Sequence, residues 1–167
     1  YNKRKSFLET FIPIVKNHYK SISKSLEEVD IQYNSDLNQH NFTDLLKNSL
    51  SKDRSAQFTT AGPHKDDLDF LIHGQAIKKF GSQGQQKSFL IALKLAQFDF
   101  IKIQAKVPPI VLLDDVFDKL DQDRVALIMQ LVESNHFGQI FLSDTHQERT
   151  LAALYTTQLS YSLFELS

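Results

Sequence analysis

Two stretches of this sequence carry groups suited to phosphate chemistry. Phe80-Gly81-Ser82-Gln83-Gly84-Gln85-Gln86-Lys87 places a glycine-lined turn directly ahead of a long helical pattern. Unpaired N–H groups and the dipole at a helix start favour an anion, and Gly81 and Gly84 allow close backbone approach. Pro109 to Leu113 is an apolar run that ends in Asp114-Asp115. Paired carboxylates at a strand end suit a hydrated magnesium ion, one holding it through water while the other orients or deprotonates an attacking water. Each stretch also has a plainer reading. A Gly-Ser turn is an ordinary helix N-cap, and adjacent aspartates also form phosphoacceptor pockets, although those require a placed lysine that is not identifiable here.

The elements that must position these groups follow from hydrophobic period. Phe89, Leu93, Ala96 and Phe100 lie on one helical face, with Leu90, Ile91 and Leu95 widening it, so a deeply packed helix is expected over 85–103. Pro108-Pro109 ends it, and Ile110 to Leu113 reads as a parallel strand buried on both faces, with the aspartates at its carboxyl end. A helix is expected over 124–134 with Asp121 as N-cap. A second buried strand follows over 139–142, leading to Ser143-Asp144-Thr145-His146, and a closing strand is expected over 159–164.

The first third reads as mainly helical. Ser6 with Glu9 fits a capping box, and Phe11, Val15, Tyr19 and Ile22 form an apolar stripe in which Pro13 should kink the helix or delay its start. Val29, Ile31 and Tyr33 alternate as a short strand, and Phe42, Leu46 and Leu50 make a second helical packing stripe. After residue 55 the period changes. Short strands are expected at 58–60, around Leu68, Phe70 and Ile72, and at 77–80, with His73-Gly74 as a hairpin turn. The Ala61–Asp67 loop between them reads as a polar turn.

Composition bounds the class. The chain has 167 residues, 41% hydrophobic and 23% charged, which suits one substantial core. No apolar run reaches the ~20 residues needed to span a bilayer, and no membrane partner is expected. Absence of cysteine excludes a disulfide framework and thiolate metal sites, and a cytoplasmic location is the simplest expectation. A net charge of −1 gives no global basic field; Lys78, Lys79 and Lys87 form only a local stripe. The chain opens on Tyr1 and its one methionine is Met129, so it is expected to be part of a longer polypeptide.

Taken in order, these residues resemble the motifs of ABC-type ATPases. Ser82-Gln83-Gly84-Gln85 is similar to the signature motif, Ile110 to Asp115 to the Walker B strand, Leu120-Asp121 to the D-loop, and Thr145-His146 to the switch-histidine loop. Thr60-Ala-Gly-Pro-His-Lys-Asp-Asp, Gly81-Ser-Gln-Gly-Gln-Gln-Lys and Leu113-Asp-Asp-Val-Phe-Asp-Lys-Leu-Asp resemble the RecF family of SMC-like ABC ATPases more closely. The resemblance covers the whole chain and implies an α/β fold: the C-terminal lobe of an ABC ATPase head over 56–167, preceded by the end of a partly helical arm over 1–55.

It also implies residue roles. Asp114 would be the magnesium-associated acid. Asp115 stands where most ABC ATPases have glutamate and reaches one methylene less far, so positioning water is the role implied. Ser82, Gln83, Gly84 and Gln85 would meet ATP bound to the opposite subunit, Asp121 would join that interface, and His146 takes the switch position. The family implies DNA at gaps or junctions, an ATP-dependent homodimer, RecO- and RecR-like partners and RecA loading. Another SMC-like chromosome-organising head is the alternative, but it would bring long heptad runs, and residues 1–55 hold none beyond a few turns. No Gly-x-x-x-x-Gly-Lys-Ser/Thr occurs, and none of the five glycines begins one. This chain alone is therefore expected neither to bind ATP usefully nor to hydrolyse it; ATP and Mg2+ would both require a separate P-loop segment.

Overall fold

The computed structural model of the protein describes residues 1–115, 117–134 and 137–165. Its core forms where the long apolar helices cross. Helix α1 (Asn2–Ile22) turns Val15, Tyr19 and Ile22 inward, each fully buried, as the stripe requires. The helix begins before Ser6 and Glu9, so no capping box forms there. It runs unbroken through Pro13, which lies on the solvent side, where water can satisfy the carbonyl left without a helical donor.

β1 (Val29–Asn34) pairs antiparallel with β2 (Asp67–Ile72), from Val29 opposite Ile72 to Asn34 opposite Asp67. His73 and Gly74 both adopt positive φ, +47° and +76°, and turn β2 into β3 (Gln75–Ala76) as a tight hairpin. Residues 77–80 are not a strand. They form the single-turn helix α3 (Ile77–Phe80), closed by the Gly81 N–H on the Ile77 carbonyl at 2.9 Å. Residues 58–60 are not a strand either. Helix α2 (Phe42–Ala56) ends at Gln57 in a left-handed conformation, and Asp53 then takes both the Thr60 N–H at 2.8 Å and its hydroxyl at 2.6 Å, which diverts that backbone from a ladder. On α2 the expected packing stripe is also displaced: Phe42 and Leu50 are half-exposed, and Leu45 is the residue buried.

Helix α4 (Gln83–Ala105) is the central pillar, with Phe89, Ile91, Ala92, Leu95, Ala96 and Phe98 buried. Tyr19 and Phe70 pack on the Phe89 ring at centroid distances of 5.9 and 5.5 Å. β4 (Ile110–Asp114) and β5 (Gln139–Ser143) pair in parallel, joined by α5 (Gln122–Ser134) as a βαβ crossover. Among the described residues only one face of this pair is covered. Leu113 is buried, but Ile110, Leu112 and Phe141 are 60%, 66% and 52% exposed, so β4 is not buried on both faces. Helix α6 (Gln147–Leu154) follows β5, and residues 159–164 form no strand: they have no ladder partner among the described residues. No described helix is long and apolar enough to cross a membrane.

Candidate nucleotide-contacting site

The glycine-lined turn sits at the α4 N-terminus in the form its composition dictates. Ser82 Oγ accepts from the Gln85 N–H at 3.2 Å, and the Ser82 N–H donates to Gln85 Oε1 at 2.8 Å, a complete capping box. The plain N-cap reading of this turn is thus realised in the structure, and it leaves Ser82 and Gln83 exposed at the helix start. Gly81 is sterically required, and Gly84 packs tightly. A Cβ at Gly81 would lie 2.7 Å from the Ile77 carbonyl oxygen, and one at Gly84 would lie 3.3 Å from the Lys119 carbonyl oxygen. The second contact brings the loop after β4 against the first turn of α4.

Asp121 at the end of that loop caps α5: its Oδ1 accepts the Arg124 N–H at 2.8 Å. Arg124 then ties the two regions together. Its Nη2 donates to Glu27 Oε1 at 2.7 Å, its Nη1 to the Ser88 hydroxyl at 2.9 Å, and its Nε lies 3.4 Å from Asp121 Oδ2. Glu27 also accepts from Gln85 Nε2 at 2.9 Å and from the Tyr19 hydroxyl at 2.6 Å. Burial alone pushes the Glu27 carboxyl up, but the hydrogen bonds from Tyr19, Gln85 and Arg124 together outweigh it and hold Glu27 below the usual carboxylate range. Burial, then the bond to Glu27, drives the Tyr19 phenol far above its ordinary value.

At the carboxyl ends of β4 and β5 the parallel register sets Asp114 beside Ser143, whose hydroxyl donates to the Asp114 carboxylate. Asp115 follows in a left-handed conformation, φ +49°, with its N–H on the Ser143 carbonyl at 3.0 Å. Asp144 is the buried acid of this edge, its side chain only 1% exposed. Burial pushes its carboxyl up, and Arg149 (2.8 and 3.0 Å) with the His146 N–H (2.8 Å) overrides that to keep it below the ordinary range. Arg149 Nε is buried with no hydrogen-bond partner among the described residues. His146 itself is 71% exposed, its Nδ1 2.9 Å from the Thr145 hydroxyl.

Among the described residues, no group of three or more His, Asp and Glu side chains is placed to hold a metal ion. Asp114 and Ser143 nevertheless supply adjacent hard oxygen donors. That set fits magnesium, which takes one or two protein carboxylates and fills its remaining positions with water and phosphate oxygen.

The expected residues therefore fall in two groups. Ser82 to Gln85 and Asp121 are joined through Glu27 and Arg124; Asp114, Asp115 and His146 share the β4–β5 edge. Sequence reasoning missed Glu27, Arg124, Asp144 and Arg149. The one available signal was Tyr19, a phenol on a buried stripe whose hydroxyl requires a partner. In the Ala61–Asp67 loop, His64 Nε2 lies 2.9 Å from the Thr59 carbonyl, and Asp66, its side chain 3% exposed, accepts from Tyr33 and lies 3.5 Å from Arg4.

No family model matches the chain. Curated proteins do. The DNA replication and repair protein RecF of Flavobacterium johnsoniae is 54% identical over 166 residues, covering 99% of this chain and 46% of that protein. The protein of the same name from Bacteroides thetaiotaomicron is 43% identical over 166 residues, covering 99% of this chain and 45% of its own length. The chain spans about half the length of the curated relatives it matches. Two solved structures, described as the recombination mediator protein RecF-ATPrS and RecF-ATP in the RecFOR pathway, share the fold. Each has a TM-score of 0.68, with 26% and 25% identity, covering 87% and 88% of this chain and 41% of each of theirs. In sequence over its length and in fold over most of it, the chain matches a C-terminal fragment of RecF.

Proposed function

We propose that this chain is the signature-bearing C-terminal lobe of a RecF-like ATPase, with residues 1–55 as the end of its arm and 56–167 as the head lobe. The full-length protein would bind ATP and Mg2+, dimerise on ATP, engage DNA at gaps or junctions in the cytoplasm, and assist RecA loading with RecO- and RecR-like partners. One observation carries the reading. The exposed helix start at Ser82 and Gln83 and the D-loop-like Asp121 are fastened into one surface by Gln85, Glu27 and Arg124. The RecF structures with ATP and ATPrS support the choice of nucleotide.

On this reading the helix start meets the phosphates of a nucleotide held by the opposite subunit through Ser82, Gln83 and Gly84, with Gln85 holding the turn that presents them. Asp121 lies in the same interface. Asp114 with Ser143 would hold magnesium, which when bound neutralises phosphate charge. Asp115 orients water, and His146, exposed beside Asp144, senses the terminal phosphate.

Two measurements test this. Ser82→Arg in the full-length protein should weaken ATP-dependent dimerisation on gapped DNA by about tenfold or more, equivalent to ~1.4 kcal/mol. Unchanged dimerisation would show the signature assignment to be wrong. The 167-residue chain by itself should release no phosphate from radiolabelled ATP beyond an Asp115→Ala control. Turnover above that control would overturn the two-segment reading of the site.

A further inference from the structure

The Glu27–Arg124 pair has more partners than a cross-link needs. Glu27, in the connection between α1 and β1, is 15% exposed at its side chain and takes three donors, from Tyr19, Gln85 and Arg124. Arg124, 17% exposed, spends its guanidinium on three segments: Glu27, Ser88 one turn into α4, and Asp121 ahead of α5. Ser88 is fully buried, so this arm of the fork ends inside the protein. The pair thus joins residues 97 positions apart and meets the candidate nucleotide-contacting face at both of its halves.

Gln85 is committed on both sides of its amide. Its oxygen accepts the Ser82 N–H at 2.8 Å, and its nitrogen donates to Glu27 at 2.9 Å. In this arrangement the Gln85 side chain holds the turn and its N–H is taken by Ser82 Oγ, so the groups left to meet a ligand are the Ser82 hydroxyl proton and the Gln83 and Gly84 N–H groups, which have no helical carbonyl to bond. Asp121 is held in the same way, one carboxylate oxygen on the Arg124 N–H and the other beside its Nε.

A buried ion pair is a poor source of raw stability, because an apolar replacement of the same shape is often as stable. What a planar guanidinium adds is direction: several N–H groups in a fixed fork set the angle as well as the distance between the segments they bind. Three segments converge on this fork, and two of them carry residues placed at the proposed site.

Resting on the function proposed above, we propose that Glu27 and Arg124 are positioning residues of the dimer-forming face. They lock the α4 start, through Gln85, and the loop ahead of α5, through Asp121, in one register, so that both reach a partner subunit's nucleotide together. The α1–β1 connection thereby becomes part of the site although it touches no ligand.

The test uses the full-length protein with Arg124→Lys and, as a second probe, the isosteric Glu27→Gln; Ser82→Arg serves as the control. Three quantities are read: the melting temperature, the affinity of the dilute monomer for a fluorescent ATP analogue, and the dimer dissociation constant in ATP. Lysine keeps the charge but cannot fork to three partners. Both probes should therefore weaken the ATP-dependent dimer about tenfold while monomer affinity stays within about twofold. If dimerisation remains at the wild-type level while Ser82→Arg abolishes it, the positioning role is wrong and the functional reading stands. If monomer affinity and melting temperature fall in step with dimerisation, the pair is merely structural and the inference is overturned. If Ser82→Arg itself has no effect, the functional reading fails and this inference with it.

Discussion

Tyr19→Ala is expected to destabilise the chain by about 3–5 kcal/mol, the range for emptying a buried aromatic site. Tyr19 is fully buried, its ring packs on Phe89 at 5.9 Å, and its hydroxyl bonds Glu27. The alanine variant therefore loses core volume and leaves the Glu27 carboxylate one donor short. Tyr19→Phe separates the two contributions. It keeps the ring and should cost about 1.5–3 kcal/mol, the value of a hydrogen bond to a charged acceptor. The pH response distinguishes them further. Because the native phenol is raised above its unfolded value, its contribution is fully present below about pH 10 and is lost as pH rises above it. Tyr33, raised by burial and its bond to Asp66, adds to the same alkaline loss. Urea unfolding between neutral pH and pH 11 should show a shallower decline for Tyr19→Phe than for the parent; an identical decline would rule out the Tyr19–Glu27 bond as its cause.

Arg149→Ala is expected to cost about 2–4 kcal/mol at neutral pH, somewhat less than a fully buried pair because Arg149 is 32% exposed. The Asp144 carboxylate, 1% exposed, would keep the His146 N–H and the His146 ring 3.8 Å away but lose its bidentate guanidinium partner. In the parent, the depressed Asp144 carboxyl supplies stability that is present above the ordinary aspartate range and lost as pH falls through its folded value. Glu27 contributes in the same direction. In Arg149→Ala burial of the Asp144 carboxylate is offset only by His146, so protonating it costs less stability than in the parent. Mild acidification from pH 7 toward 4.5 should then narrow the stability gap between variant and parent, as read from denaturant midpoints. A constant gap would mean that Arg149 acts through packing rather than charge.

Local pattern carried much of this architecture because local physics decides it. The Ser82–Gln85 capping box, the periodic Phe89 to Phe98 surface and the apolar runs at 110–113 and 139–142 each specify their element without help from distant residues. The failures lie where the outcome depends on a neighbour. Residues 58–60 have strand composition, but Asp53 captures Thr60 first. Residues 77–80 look extended, yet the chain must turn there to deliver Ser82 to the head of α4. Glu27 and Arg124 were illegible for the same reason. In sequence each is one charged residue among many, and only the fold shows that they meet 97 positions apart. The candidate site divides along that line: the residues proposed to face a ligand lie in short motifs, whereas the side chains that hold them come from remote segments.

The backbone at Asp115 sets a limit on redesign. At φ +49° a side chain crowds its own carbonyl, and among non-glycine residues aspartate and asparagine tolerate this best because their short polar groups bond locally. Lengthening the acid to glutamate, the obvious way to extend its reach, therefore sets reach against backbone ease. Glycine would relax the turn but delete the carboxylate. At this position the shape of the main chain restricts the choice of acid before any chemistry does, so placing a longer-reaching carboxylate here calls for reshaping the turn after β4 rather than exchanging one side chain.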